Sequence, residues 1–120
     1  MKRTILLVDD EIQFVDSLAE RLELRGFETL VAYGGLSALE LFLQHTPSLV
    51  VLDLRLPDID GGEVLKRIKE IAPDVRVIII TGHGSEDDRL ACMTCGADGF
   101  MRKPLHIKNL VEALLDGDVQ

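Results

Sequence analysis

Three uninterrupted apolar runs, Ile5-Leu6-Leu7-Val8, Leu49-Val50-Val51-Leu52 and Val77-Ile78-Ile79-Ile80, constrain this chain more than any other feature. A strand with one wet face alternates apolar and polar residues, so continuous apolarity rich in Val and Ile predicts strands buried on both faces, as in a parallel sheet. Residues 27–32 and 99–101 predict two weaker strands nearer the edges. Between the strands, apolar residues recur at helical spacing: Val15, Leu18, Ala19 and Leu22; Ala38, Leu39 and Phe42; Val64, Leu65 and Ile68; Ile107, Leu110, Val111, Leu114 and Leu115. The stretch from Ser85 to Cys95 has a helix cap and ends at Gly96, but its apolar stripe is thin, which predicts the least firmly held helix. Gly26, Pro47, Pro73 and Gly96 fall where a helix must stop and a strand begin. Strand then helix, five times over, predicts a doubly wound, three-layer α/β domain spanning 1–120 with right-handed crossovers. The tail from Asp116 to Gln120 is too short to be anything else, so the chain is expected to end with its fifth helix.

Charge narrows the partners. Thirteen Lys plus Arg against 21 Asp plus Glu leave a net charge of -8, a field that repels nucleic acid and anionic headgroups, so neither direct nucleic-acid binding nor membrane association is expected. No apolar run approaches the roughly 18 residues of a bilayer span, and the start turns acidic at Asp9 before a signal peptide could form. With Cys92 and Cys95 as the two cysteines, there is no spaced disulfide framework, and a cytoplasmic location is expected.

Ligands of open parallel sheets gather beyond the carboxyl ends of the strands. The first strand ends in Asp9-Asp10, the third in Asp53 and the fourth in Thr81, while the fifth runs into Lys103-Pro104. Three carboxylates, a hydroxyl and an ammonium are thus expected at one rim, although any one of them alone reads equally well as a solvated loop residue. The formal charge of that group is -2, which a divalent cation neutralises. Hard oxygen donors with no clustered Cys or His favour Mg²⁺, or Mn²⁺ in its place, over zinc. Mg²⁺ prefers substrates that bring phosphate oxygens, so phosphoryl transfer is the chemistry such a rim suits, with a carboxylate able to act as acceptor.

The chain resembles the receiver domain of two-component response regulators over essentially its whole length. The resemblance is carried by Val8-Asp9-Asp10, by Asp53-Leu54-Arg55-Leu56-Pro57-Asp58-Ile59-Asp60-Gly61, by Thr81-Gly82, and by Gly96-Ala97-Asp98-Gly99-Phe100-Met101-Arg102-Lys103-Pro104. It implies a flavodoxin-like five-stranded sheet in the order 2-1-3-4-5. It further implies that Asp53 accepts a phosphoryl group from a sensor histidine kinase or a phosphotransfer protein, without the protein being an enzyme toward any other substrate. Asp9 and Asp10 would hold Mg²⁺ together with Asp53 and the backbone carbonyl of Arg55. Thr81 matches the hydroxyl that bonds the phosphoryl oxygen, Phe100 the aromatic that turns inward behind it, and Lys103 the amine that contacts the phosphoryl group. Lys103-Pro104 is a candidate cis peptide. An output domain or target protein would read the face built by the fourth helix, fifth strand and fifth helix.

Three departures from the commonest family pattern bear on behaviour rather than on core chemistry. Phe100 lacks the hydroxyl of the frequent Tyr, Gly82 replaces the more usual Ala and loosens the backbone beside Thr81, and Arg55 and His83 are large where the family varies its dephosphorylation rate. Cys92 and Cys95 end a helix, where the dipole disfavours thiolate, so both read as small buried fillers. Gly34-Gly35 and Gly61-Gly62 read as turn glycines, outside any phosphate-binding loop. Two other classes fit less well. A haloacid-dehalogenase-like phosphatase needs a second Asp where Arg55 stands, and a flavodoxin-like cofactor binder needs a Ser/Thr/Gly loop where Asp9-Asp10-Glu11 stands. A degenerate receiver acting as a scaffold is opposed by the intact Asp10, Asp53, Thr81 and Lys103. No output domain is recognisable, so the chain is either a stand-alone regulator or a receiver from a longer protein; its start at Met1 suits an amino-terminal receiver.

Overall fold

The apolar runs become the central strands. The computed structural model describes residues 2–115, in the order β1 (Thr4–Val8), α1 (Ile12–Glu23), β2 (Glu28–Ala32), α2 (Gly35–His45), β3 (Leu49–Leu52), α3 (Gly61–Ile71), β4 (Arg76–Thr81), α4 (Glu86–Thr94), β5 (Gly99–Arg102) and α5 (Ile107–Leu115). The expected tail from Asp116 to Gln120 lies outside the described residues. The strands form one parallel sheet in the order β2-β1-β3-β4-β5, with Leu6 opposite Val50 and Val51 opposite Ile78.

Alternation along each strand divides the core in two. Leu6, Val8, Val50, Leu52, Val77 and Ile79 point to the layer holding Ala38, Phe42, Val64, Leu65, Ile68 and Cys92, from α2, α3 and α4. Ile5, Leu7, Leu49, Val51, Ile78 and Ile80 point to the layer holding Val15, Leu18, Leu22, Leu110 and Leu114, from α1 and α5. Both faces of the central strands are therefore dry, which is why their sequence does not alternate. Full burial of such side chains contributes about 1.5–3 kcal/mol each before the entropy of ordering them is set against it.

The helices are not held equally. α3 buries Gly61, Val64, Leu65 and Ile68, whereas α4 buries only Cys92. α4 is secured instead at its start, by a capping box in which the Ser85 hydroxyl accepts from Asp88 N and the Asp88 carboxylate accepts from Ser85 N. α2 has a cap that comes from elsewhere in the chain: Asp58, in the β3–α3 connection, accepts from Gly35 N at 2.8 Å, Leu36 N at 2.9 Å and its neighbour Ile59 N at 2.8 Å. Those bonds, Leu36 foremost, hold the Asp58 carboxyl down at about 2. Because the folded value lies below the ordinary one, this contribution to stability is present above the usual carboxylate range and is lost as pH falls toward 2.

Two expectations are corrected. Cys92 is buried, but Cys95, at the C-cap of α4, is exposed and is no filler. The paired glycines do not sit in turns: Gly34 caps α2, Gly35 opens it, and Gly61-Gly62 open α3. Gly35 and Gly61 do so because the helix starts are packed too closely for a side chain, the position of a Gly61 Cβ lying 2.1 Å from the Asp53 carbonyl oxygen.

Candidate functional site

The order β2-β1-β3-β4-β5 sets the ends of β1, β3, β4 and β5 side by side, which brings residues far apart in sequence to one rim. Asp9 N donates to Ala32 O at 3.1 Å and Asp53 N to Val8 O at 2.9 Å, so both aspartates leave the sheet still tied to it. Gly61 N donates to Leu54 O at 2.8 Å, and a larger residue at Gly61 would displace the Asp53 backbone. The position of Asp53 is thereby fixed from both sides.

Asp9, Asp10 and Asp53 bring one carboxylate oxygen each within 4.8 Å of one another; Asp9 and Asp53 are buried and Asp10 is exposed. The Lys103 amine enters this group, 2.8 Å from Asp9 Oδ2, 2.5 Å from Glu11 Oε1 and 3.5 Å from Asp53 Oδ2. It also lies 4.3 Å from the centre of the Phe14 ring, a cation–π contact that steadies its long stem. Burial pushes the Asp9 carboxyl up, against the lowering effect of its hydrogen bonds from Lys103 and Glu11 N, and the Asp53 charge adds to the rise. Burial also works against the charge on Lys103, yet its bonds to Asp9 and Glu11 and the charges of Asp9 and Asp53 hold its pKa above the ordinary lysine value. The amine is cationic at neutral pH. Asp53 Oδ1 is buried and accepts no hydrogen bond from the described residues.

This donor set suits a hard divalent cation. Three carboxylates converge, one buried oxygen among them has no protein donor, and no His or Cys joins the cluster found among the described residues. The buried acceptor oxygen is what a cation would satisfy, since an unpartnered buried carboxylate oxygen is costly.

Thr81 ends β4 fully buried, its Oγ1 accepting from His83 N at 3.3 Å. Thr81, Arg55 and His83 share the lining of a cleft of about 220 Å³ with Asp60, Asp88 and Cys92, beside the carboxylates. Arg55 and His83 are exposed, and the Arg55 charge reaches Asp88, whose carboxyl is held low mainly by its bonds with Ser85. Cys92 faces the same cleft as a protonated thiol, pushed up to about 11 by burial and by the Asp88 charge. Gly82 has room for a methyl group, with Lys103 Cδ 3.9 Å away, so its glycine is not a steric requirement. The Lys103-Pro104 peptide is cis, as the motif implies.

Phe100, half-buried on β5, packs against the loop that follows β4. A Cβ on Gly84 would lie 2.6 Å from Phe100 Cζ and 2.8 Å from Thr81 Cγ2, so the ring, the Thr81 methyl and the loop backbone meet at one point. Arg102 lies over the outer side of the ring, 5.3 Å from its centre, and donates to Gly84 O.

All four charged residues read from the strand ends therefore meet, and Thr81, Arg55, His83 and Phe100 adjoin them. Sequence reasoning missed Glu11, Phe14, Asp58 and Arg102. Arg102 follows Phe100 by two residues on a strand, a spacing that puts both on one face and was available as a signal. Phe14 and Glu11 carried none, because their partner Lys103 lies some ninety positions away.

Comparison with known proteins agrees with this geometry. The family model for the response regulator receiver domain matches residues 5–115. The photosynthetic apparatus regulatory protein RegA of Rhodobacter capsulatus is 34% identical over 113 residues, covering 94% of this chain and 61% of RegA. The chain spans about half the length of the curated relatives it matches. A CheY-like receiver domain protein from Methanospirillum hungatei JF-1 superposes with a TM-score of 0.94 at 28% identity, over 98% of this chain and 94% of that one. A Burkholderia pseudomallei response regulator, crystallised with a phosphorylated aspartic acid, a calcium ion and citrate, gives 0.91 at 27% identity, over 97% and 68%. The chain belongs to the response regulator receiver domain family, whose members act as phosphoacceptors in two-component signalling and bind Mg²⁺ at an acidic pocket.

Proposed function

We propose that Asp53 is the phosphoacceptor of this receiver and that it takes the group from the phosphohistidine of a sensor histidine kinase or phosphotransfer protein. One observation carries the assignment: Asp53 is the buried carboxylate whose Oδ1 has no protein partner, at the end of a central strand, with a lysine amine 3.5 Å from its other oxygen. An Asp53 oxygen attacks phosphorus, the P–N bond breaks, and the imidazole, protonated on its other ring nitrogen, leaves with the electron pair as neutral histidine. Lys103 follows the charge growing on the phosphoryl oxygens, and the Thr81 hydroxyl donates to one of them. Asp9, Asp10, Asp53 and the Arg55 carbonyl would hold Mg²⁺, which supplies charge neutralisation for the transferred group. The protein catalyses its own phosphorylation and dephosphorylation only.

Readout follows from the neighbours of Thr81. Movement of its hydroxyl toward a phosphoryl oxygen disturbs the junction with Gly84 and Phe100, next to the weakly anchored α4. Leu90 and Met93 are exposed on α4, and such apolar surface suits an output domain or a target protein on the α4–β5–α5 face. The setting is cytoplasmic; no helix among the described residues is long and apolar enough to cross a membrane.

Intact mass after incubation with acetyl phosphate and Mg²⁺ tests the assignment. One added phosphoryl group is expected, absent without metal and absent in Asp53→Asn. Equal labelling of Asp53→Asn moves the acceptor elsewhere, and no labelling of the wild type leaves a scaffold in place of a phosphoacceptor.

A further inference from the structure

We infer that Glu11 is the partner Lys103 gives up when a phosphoryl group arrives, and that this exchange sets the rate of phosphoryl uptake. The inference rests on the reading of Asp53 as acceptor.

A lysine amine has three protons to donate. Glu11 takes one at 2.5 Å and Asp9 another at 2.8 Å, while Asp53 at 3.5 Å lies outside normal hydrogen-bond distance, though within Coulombic reach. The residue that should serve the acceptor is thus engaged mainly with two other carboxylates, its head resting on Phe14. The two bonds differ in what their loss costs. The Asp9 side chain is 5% exposed, and stripping its amine would leave a buried charge unpaired. The Glu11 side chain is 60% exposed, and its carboxylate regains water on release. Glu11 is therefore the contact that yields. Glu11 stands at the N-cap of α1 without a side-chain cap bond, so its carboxylate does no other work at the helix start.

In the reaction with acetyl phosphate, an Asp53 oxygen forms a bond to phosphorus and the acetyl C–O–P link breaks at phosphorus, acetate leaving with the electron pair. Lys103 must turn from Glu11 to the transferred oxygens during that step. In the phosphorylated protein the exchange is complete, so Glu11 no longer affects the amine. Glu11 acts through Lys103 and is a positioning residue.

Two substitutions separate this role from simple charge. Glu11→Gln removes the charge; Glu11→Asp keeps it but draws the carboxylate back by one methylene, out of reach of Lys103. Initial rates of phosphoryl uptake from acetyl phosphate with Mg²⁺ are read by intact mass, and rates of loss after the donor is removed. Both variants are expected to take up phosphoryl about two- to fivefold faster, equivalent to about 0.4–1 kcal/mol at 1.36 kcal/mol per tenfold, with the rate of loss unchanged. Acceleration in Glu11→Gln alone means that donor repulsion is the cause and overturns the inference. Unchanged or slower uptake in both, or an equal change in loss, overturns it as well. A wild type that takes no label fails the functional reading itself and the inference with it, whereas a labelled wild type with indifferent variants fails the inference alone.

Discussion

Two sides of the same rim are built on opposite principles. Around β1 and β3, Asp9 and Asp53 are tied to the sheet by backbone bonds, Gly61 presses α3 against Asp53, and Lys103 is held by Asp9, Glu11 and Phe14. Around β4 and β5, Thr81 faces a cleft of about 220 Å³, Phe100 is half-buried, and α4 buries a single residue. The first side is a charged network whose backbone positions are tied to the sheet and whose lysine is held by several partners. The second is a packed junction with space beside it and little apolar surface to resist movement. Phosphoryl chemistry needs the first, because misplacement of reacting groups is costly, and a switch needs the second, because low local stability is what permits a shift.

The contrast can be broken by mutation. The largest effect expected is the uncoupling of the two sides in Thr81→Ala, which should still accept a phosphoryl group but lose the response of α4 and β5. Hydrogen exchange of residues 85–105, with and without acetyl phosphate, measures it; an equal response in wild type and variant means that the coupling bypasses Thr81.

Next comes the difference in anchoring. Ile68→Ala, in α3, should destabilise the protein by about 2–5 kcal/mol, as large-to-small changes in a full core do. Cys92→Ala, which removes the one buried side chain of α4, should cost roughly 1 kcal/mol or less. Urea unfolding of both variants decides whether α4 is held as loosely as its burial implies, and similar costs would remove the distinction between the helices.

A smaller effect is expected of the cation. At about ten times its dissociation constant, Mg²⁺ should add about 1.4 kcal/mol to stability, and Asp10→Asn should abolish the gain. Melting temperatures across a Mg²⁺ series test this, and a gain that survives Asp10→Asn would place the ion elsewhere.

The smallest effect lies at the border of the two sides. Arg55 and His83 share the lining of the cleft with Thr81, and on the proposal that Asp53 is the acceptor, their bulk should hinder an in-line water and lengthen the lifetime of the phosphorylated form. Arg55→Asn and His83→Gly should lose phosphoryl severalfold faster after donor removal. Slower loss in both would show that these side chains assist hydrolysis.

Much of this was legible in the sequence, for a physical reason. A strand buried on both faces must be apolar throughout, so the runs at Ile5, Leu49 and Val77 marked the central strands. The rule that ligands gather beyond the carboxyl ends of parallel strands then places Asp9, Asp10, Asp53, Thr81 and Lys103 at one rim from sequence. Helix periodicity marked α4 as the least firmly held helix, because burial of a helix requires a stripe of apolar side chains and that of α4 is thin, against the four buried residues of α3. What depends on local pattern is written locally.

Contacts between distant segments are not. Nothing near Glu11 or Phe14 indicates that Lys103 will lie between them, and nothing near Asp58 shows that its carboxylate will cap α2 from across the loop. Cys92 and Cys95, three residues apart, take opposite environments because one faces the sheet from α4 and the other sits at its exposed end. Gly61 reads as a turn residue until the helix start is seen to lie so close to the Asp53 carbonyl that a Cβ there would sit 2.1 Å from its oxygen. Sequence by itself determined which residues form the sheet, its helices and its charged rim, since solvent exclusion acts on each segment's own pattern; only tertiary structure decided which carboxylate holds the lysine, because that depends on distances the chain acquires when it is packed.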